Sequence, residues 1–139
     1  MPEHAAGPFE VKLAPQKADN PQAEASGHGR MSLDKKFHGD LEAISQGEML
    51  SSMSTSAKGS GAYVAIEKVT GKLGGRTGSF VLQHTGTMNR GTNTHHNVSV
   101  VPDSGTEELT GLAGVMRIII ADGKHSYEMD YTLPTSTSH

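Results

Sequence analysis

The chain has no cysteine and no tryptophan, and it has only three phenylalanines and three tyrosines among its 139 residues. The missing cysteine excludes disulfides, thiolate metal sites and cysteine nucleophiles, and it gives no sign of an oxidising compartment. Glycine, by contrast, accounts for 17 of the 139 residues, well above its usual share of about 7%. This composition favours short strands joined by tight turns.

A strong charge of either sign is also missing. Twelve Lys and Arg residues stand against 15 Asp and Glu, giving a net charge of −3, too little to recruit nucleic acid or anionic lipid. The N-terminal residues MPEHAAGPFE contain neither a basic leader nor an apolar stretch, and the longest apolar run lies around 118–120. The sequence therefore predicts a cytoplasmic protein with neither nucleic acid nor a membrane as a partner.

Strand-like alternation dominates the chain, because glycine or a β-branched residue interrupts each apolar group before a helical pattern develops. Segment 62–70 is apolar on both faces, which predicts a central strand covered on both sides. Gly47 interrupts another segment and predicts a bulge or bend there. The eight predicted strands are 9–15, 30–38, 40–54, 62–70, 76–87, 94–101, 114–121 and 124–132.

We interpret residues 1–139 as a single domain. Within it, the polar residues 16–28 are predicted to form a flexible connection, and a disordered tail is predicted from about residue 134.

The clearest local signal is Asp122-Gly123, because a two-residue Asp-Gly connection between strands favours a type I′ hairpin. This turn would place Ala121 opposite Lys124 and so fix the register of the last two strands. One face of the hairpin is then apolar and is assigned to the interior; it comprises Met116, Ile118, Ile120, Tyr127, Met129 and Tyr131. Eight short, evenly spaced strands are typical of a barrel or sandwich, and closing the sheet removes its exposed edges.

Three segments carry a family resemblance: GAYVAIEKVTGKLGGRTGSFVLQHTGTM (61–88), VVPDSGTEELTGLAG (100–114) and GKHSYEMDYTL (123–133). With them the chain resembles a bacterial domain-of-unknown-function family that is grouped with the allene-oxide-cyclase-like, or calycin-like, barrels. The resemblance runs from about residue 9 to residue 133 and implies an all-β fold, an eight-stranded antiparallel β-barrel.

The same resemblance implies little about activity. The family has no established reaction, and the wider barrel class includes plant cyclases that fold a reactive fatty-acid epoxide inside an apolar cavity, often as oligomers. The resemblance therefore implies that copies of this chain can associate into a homo-oligomer. No catalytic motif of those cyclases matches this sequence residue by residue, so their chemistry stays an analogy.

Two ionisable residues are candidate catalytic groups. Alternation places His84 beside apolar neighbours on an inward face, where an imidazole can act as a general base or can be a core histidine held by one hydrogen bond. Glu67 has two readings as well. Facing inward, it would have a raised pKa and serve as acid or base; facing solvent, it would leave Val64 and Ile66 inside.

Other inward positions are candidate ligand contacts. The predicted ligand-binding residues are Tyr63, Phe80, Leu82, His96, Ile118, His125 and Tyr127. The adjacent pair His95-His96 does not predict a metal site, because neighbouring residues of a strand point to opposite faces. We therefore predict no metal and no cofactor.

Three hypotheses for function follow, because an eight-stranded barrel can be filled by side chains or can hold one small ligand. The first is a pocket for a small apolar molecule with isomerase- or cyclase-type acid–base chemistry at His84 and Glu67. The second is a non-catalytic carrier or sensor of such a ligand. The third is a filled barrel that serves as an oligomerisation module.

Overall fold

The computed structural model describes residues 3–134, and the tail predicted from about residue 134 lies almost wholly outside them. The described chain is all-β apart from two short helical turns, which confirms the predicted fold class. Its strands are β1 (Glu3–Pro15), β2 (Gly29–Phe37), β3 (Leu41–Met53), β4 (Gly61–Leu73), β5 (Arg76–Asn89), β6 (Thr92–Val100), β7 (Ala113–Ala121) and β8 (Lys124–Thr132). A helix α1 (Pro21–Ser26) and a 3-10 helix (Glu107–Leu109) complete the elements.

The eight strands form one closed barrel in which each strand pairs antiparallel with the next and β8 pairs with β1. Strand β1 closes the ring by dividing its length between two partners: Glu3–Phe9 pairs with β8 and Phe9–Pro15 pairs with β2. This strand therefore begins six residues before the predicted segment. Its first half carries Ala, Gly and Pro, which do not show the alternation of a half-buried strand.

The hairpin between β7 and β8 has the predicted register, with Ala121 opposite Lys124 and Met116 opposite Met129. Asp122 and Gly123 have φ values of 53° and 74°, both positive as a type I′ turn requires. The apolar face of this hairpin points inward as predicted, but Ile120 is 67% exposed because it lies at the rim of the barrel.

Helix α1 is a short element that the strand-dominated sequence pattern did not predict. It lies within the segment predicted as a flexible connection and has local signals that a search for apolar periodicity misses. Asn20 caps it by accepting a hydrogen bond from the backbone N–H of Ala23 at 2.8 Å, Pro21 occupies the first turn, and Gly27 ends it in a left-handed conformation.

Two further predictions about β3 and β4 are wrong. Val64 and Ile66 are 50% and 60% exposed, so β4 is covered on its inner face only. Gly47 causes no bulge, since β3 keeps one register with β2 and β4 along its length. Gly47 is there because the strands approach closely: a Cβ would lie 2.0 Å from the carbonyl oxygen of Ile66 and 2.7 Å from the Cα of Glu67. The register shift that does occur lies at Thr87–Met88 in β5.

One half of the barrel is filled by a hydrophobic core. The 3-10 helix region caps this end with Leu109 and Leu112, which are 1% and 2% exposed. Tyr127 ties the β2–β3 turn to the core, since its hydroxyl donates to the carbonyl oxygen of His38 at 2.7 Å and accepts from the N–H of Leu41 at 2.8 Å. The core side chains of this half include Ala5, Phe37, Leu41, Val69, Leu73, Phe80, Leu82, Val98, Val100, Met116, Met129 and Tyr131.

The other half of the barrel is less tightly closed at the seam between β6 and β7. Only two residue pairs join these strands, Val98–Met116 and Ser99–Val115. The first residues of β6, from Thr92 to Asn97, are exposed and have no ladder partner on β7. This end of the barrel is therefore open. In the described part of the chain, no helix is both long enough and apolar enough to cross a bilayer.

Candidate functional site

A cluster of four polar side chains lies inside the barrel, at the floor of its open half. The Glu67 carboxylate is completely buried; its Oε2 accepts a hydrogen bond from Lys35 Nζ at 2.8 Å, and its Oε1 accepts one from Ser45 Oγ at 2.5 Å. The Nε2 atom of His84 lies 2.5 Å from Oε2. Lys35 and His84 are themselves only 6% and 5% exposed. We call these four residues the polar cluster.

Strand alternation and register bring the polar cluster together. Its members lie on the inner faces of four consecutive strands, β2 to β5. Lys35 is directly opposite Ser45, and Glu67 is opposite Gly47, so that the carboxylate is a diagonal neighbour of the serine. Diagonal positions on one face lie within reach of long side chains. His84 has the same diagonal relation to Glu67 on the other side.

The structure settles which way Glu67 faces, and it corrects the expected direction of its pKa. Burial by itself raises the pKa of this carboxyl group, as the sequence argument assumed. The close approach of the His84 imidazole, together with the hydrogen bond and positive charge of Lys35, outweighs that effect and lowers the pKa of Glu67 to about 2. Glu67 is therefore an ionised, fully engaged carboxylate at neutral pH.

His84 is buried, yet its Nε2 atom has no properly aligned hydrogen bond within residues 3–134. The short approach to Glu67 sets the orientation of the ring without satisfying the angle of a hydrogen bond. A buried polar atom without a partner is uncommon and is found at functional sites. Because Nε2 still lies 2.5 Å from a carboxylate oxygen of Glu67, both readings of His84, general base and core histidine, stay predictions.

A cavity of about 410 Å³ lies in the less tightly closed half of the barrel, with Lys35 and His84 of the polar cluster in its lining. Lys35 and His84 form its polar floor, while Glu67 lies behind them and does not line it. Much of the wall is apolar. The lining side chains include Phe9, Val11, Leu13, Leu33, Met49, Tyr63, Ala65, Met88, His95, His96, Ile118, Ile120 and His125.

Four of the seven predicted ligand contacts line this cavity: Tyr63, His96, Ile118 and His125. Tyr63 lies over Gly86, where a Cβ would come within 2.4 Å of its ring, and its ring centroid is 6.4 Å from that of His96. Burial raises the pKa of Tyr63 and lowers that of His96, whose cationic neighbours act in the same direction. Both pKa shifts favour the neutral form of the side chain.

The other three predicted ligand contacts lie elsewhere. Phe80, Leu82 and Tyr127 point inward but belong to the packed half, where they are 1%, 0% and 1% exposed. Alternation gives the face of a strand and not the height along the barrel axis, so it does not separate these residues from the cavity wall. We describe the candidate site without them.

Sequence reasoning missed Lys35 and Ser45. A usable signal was present for the lysine, because Leu33 and Phe37 flank it at the same spacing and both are buried. The positive charge of Lys35 obscured that pattern, although the ammonium also lies over the rings of Phe9 and Phe37 at 5.3 and 5.8 Å. No sequence signal marks Ser45, because the residues around it on β3 show no clear alternation of polar and apolar side chains.

A larger groove of about 810 Å³ lies on the outside of the barrel, between α1 and the outer faces of β3 to β5. Its wall includes the exposed side chains of Leu50, Val64 and Ile66. His84 borders both spaces, but the wall of the groove is mostly exposed surface, whereas the smaller cavity lies in the mouth of the barrel and is lined by both Lys35 and His84. The interior is therefore the better candidate site. Among residues 3–134, no three His, Asp or Glu side chains are arranged to hold a metal ion.

These features define a class: a small, closed, eight-stranded antiparallel barrel, half filled by its core and half hollow, with an ionised cluster at the boundary. Within that class the chain belongs to the DUF3224 family, described as proteins of unknown function, whose model matches residues 5–131. It is similar to a solved structure of a DUF3224 protein of unknown function from Shewanella oneidensis MR-1, with 52% sequence identity and a TM-score of 0.86. The match covers 96% of this chain and 98% of the other.

No curated protein matches the sequence significantly. The resemblance to a bacterial family of unknown function is confirmed, while the grouping with allene oxide cyclases stays a prediction.

Proposed function

We propose that this protein binds one small, largely apolar molecule in the open half of its barrel. The observation that carries the proposal is the cavity of about 410 Å³, which lies within the range of roughly 300–1,000 Å³ typical of small-molecule sites. Such sites combine apolar walls with a few convergent polar groups. Here much of the wall is aliphatic and aromatic, and Lys35 and His84 are the polar groups at the floor. The cavity lining also includes Asn93, His95, His96 and His125.

The cavity favours ligand binding over the alternative of a filled barrel that serves as an oligomerisation module. A barrel with only a structural role gains stability from packing, and an unfilled apolar space of this size forgoes the contacts of its lining side chains. The chain fills one half of its barrel completely and leaves the other half open. A binding site explains why one half is packed and the other is hollow better than incomplete packing does.

The weak seam between β6 and β7 supplies an entrance for the ligand. Ile118 and Ile120 from β7 and His96 from β6 lie on either side of it and line the cavity. With only two residue pairs across this seam, the strands can separate there without breaking a continuous ladder. A ligand reaches the floor from this side without unfolding the packed half.

A titration with the neutral fluorophore N-phenylnaphthylamine tests the proposal. We expect saturable fluorescence enhancement at one site per chain, since an apolar fluorophore becomes emissive when it leaves water. Replacing Ile118 with Trp should fill the cavity and weaken binding by about tenfold or more. Ile119→Trp is the matched control, because Ile119 is on the same strand but faces outward and is 39% exposed.

The control variant should bind like the parent, and melting curves of both variants establish that they are folded. Equal binding by all three proteins would place the fluorophore outside the barrel. No saturable binding by the parent would remove the basis of the proposal.

A further inference from the structure

The Lys35 ammonium has hydrogen-bonding capacity that the described residues do not use. An ammonium has three N–H donors, and within residues 3–134 one hydrogen bond is formed by Nζ, to Glu67. The side chain is almost fully buried and lines the cavity floor. A ligand that brings a hydrogen-bond acceptor to this floor would satisfy a donor that is costly to leave without a partner.

His84 offers a complementary group at the same floor. Its Nε2 atom faces the Glu67 carboxylate, so a proton on Nε2 leaves the lone pair on Nδ1, the ring nitrogen that remains for a ligand. A carboxylate behind an imidazole orients the ring and stabilises the imidazolium that forms when the other nitrogen takes a proton. His84 and Glu67 are therefore arranged as a base and the carboxylate that orients it.

The net charge of the polar cluster narrows the ligand class. Lys35 and Glu67 cancel, so with a neutral imidazole the floor carries no net charge. A full anion would compete with Glu67 for the ammonium and would be desolvated without a compensating charge. A neutral oxygen acceptor on an apolar body avoids this cost and still accepts hydrogen bonds from Nζ.

We propose that the ligand is an apolar ketone or aldehyde and that the polar cluster catalyses its enolisation, a proposal that rests on the proposed function above. Lys35 donates to the carbonyl oxygen, and His84 removes a proton from the adjacent carbon. Glu67 holds the imidazole in place.

The step balances without any co-reactant. The bond between carbon and its α-hydrogen breaks, and the proton moves to Nδ1 of His84. The electron pair of that bond forms the carbon–carbon double bond of an enolate, while the carbonyl π pair moves onto oxygen beside the Lys35 ammonium. Return of the proton to the α-carbon regenerates the ketone; its return to the γ-carbon of an unsaturated ketone gives an isomer.

The assignment of the base to His84 follows from the state of Glu67. A carboxylate whose pKa is held near 2 by its neighbours is a weak base, and it is screened from the cavity by Lys35 and His84. His84 and Glu67, both predicted as catalytic candidates, therefore have different roles. His84 transfers the proton, and Glu67 is a positioning residue.

Hydrogen–deuterium exchange of β-tetralone tests the proposal, because this ketone is apolar, small enough for the cavity, and has α-protons that proton NMR resolves. The protein is dissolved in D₂O, and the loss of the α-proton signals is followed against buffer alone. Binding is measured separately by displacement of N-phenylnaphthylamine, with the alcohol β-tetralol as the non-enolisable analogue. We expect exchange above the buffer rate and displacement by both compounds.

Two variants locate the chemistry. His84→Gln should lower the exchange rate by about 100-fold or more, the contribution of a general base. Lys35→Met alone leaves Glu67 buried without its cation and is expected to fold poorly. The double variant K35M/E67Q removes both charges, and its exchange rate should also fall by about 100-fold while β-tetralol still displaces the fluorophore.

Matched controls lie on the outer surface. Lys36 neighbours Lys35 in the sequence but is exposed on the opposite face of β2, and the His38 side chain lies outside the cavity. Lys36→Met and His38→Gln should exchange β-tetralone at the parent rate.

Each result decides the proposal. Exchange that is lost in H84Q and in K35M/E67Q but kept in the controls supports it. Displacement by both compounds without exchange overturns the enolisation and leaves a carrier, so the proposed function survives. Exchange that persists in H84Q or in K35M/E67Q overturns the assigned roles. Failure of both compounds and the fluorophore to bind removes the proposed function and this inference together.

Discussion

At the scale of single residues, the most unusual feature is an ion pair buried at the boundary between a packed core and a cavity. Removing two charges from water costs several kcal/mol per ion, and their mutual attraction offsets this only with good geometry and further hydrogen bonds. Glu67 has both, since Lys35 and Ser45 each donate to a different carboxylate oxygen. An apolar pair of similar volume would serve stability equally well. Stability alone therefore does not account for the polar cluster.

The lowered pKa of Glu67 makes a prediction about acid stability. Its folded-state pKa of about 2 lies below its ordinary value of 4.5, so protons bind the unfolded chain more readily. The stabilisation is then fully present above about pH 4.5 and is lost as the pH falls toward 2. Between pH 6 and pH 3 the parent should lose about 2 kcal/mol more unfolding free energy than K35M/E67Q, as measured by urea denaturation.

The double variant is the right reference because it keeps every other carboxylate, including those at the surface. Their contributions cancel in the difference between the two proteins. A difference in unfolding free energy that stays constant from pH 6 to pH 3 would contradict the ionised state assigned to Glu67.

Sequence reasoning found some of these residues and not others for identifiable reasons. Alternation placed His84 on the inner face and left Glu67 undecided, because β4 has apolar residues on both sides and only the structure shows Val64 and Ile66 to be exposed. Lys35 was obscured by its charge, since a lysine at an inward position runs against the usual hydrophobic pattern. Its cost is offset by a partner 32 residues away, which no local pattern reveals.

At the scale of elements, the close approach of β3 and β4 at Gly47 positions the polar cluster. Replacing Gly47 with Ala would put a methyl group 2.0 Å from the Ile66 carbonyl oxygen and 2.7 Å from the Glu67 Cα, both in the backbone of β4. The strand must shift, so we expect a loss of about 2 kcal/mol in unfolding free energy, measured by urea denaturation. The shift should also weaken fluorophore binding, because it moves Glu67.

Gln46→Ala is the control for this change, because Gln46 lies next to Gly47 but is exposed on the outer face. Its effect on the unfolding free energy should stay within about 0.5 kcal/mol. A G47A variant as stable as the parent would show that β3 and β4 are less rigidly spaced than we infer.

The elements differ in how well the sequence predicts them. The β7–β8 hairpin was predicted with its full register, because Asp122-Gly123 sets both the turn type and the pairing. Helix α1 was missed, since its signals are caps and not apolar periodicity, and none of its residues is buried. The first half of β1 was missed because its pairing with β8 joins the two ends of the chain.

At the scale of the whole molecule, the barrel has a packed half and a hollow half. The eight-stranded closure was predictable from strand count and spacing, but the difference between the halves was not, because it depends on where along the barrel axis each inward side chain lies. The same limit explains why three of the predicted ligand contacts fall in the core. The predicted homo-oligomer and cytoplasmic location stay predictions.

The most direct test of the hollow half is a ¹H–¹⁵N correlation spectrum of the parent protein titrated with β-tetralol. We expect amide shifts concentrated at residues around the cavity, including Leu33, Tyr63, His84 and Ile118, and small shifts at Val69, Leu73 and Leu109 in the packed half. Shifts confined to the outer groove beside α1, or spread evenly over both halves, would contradict a binding site inside the barrel.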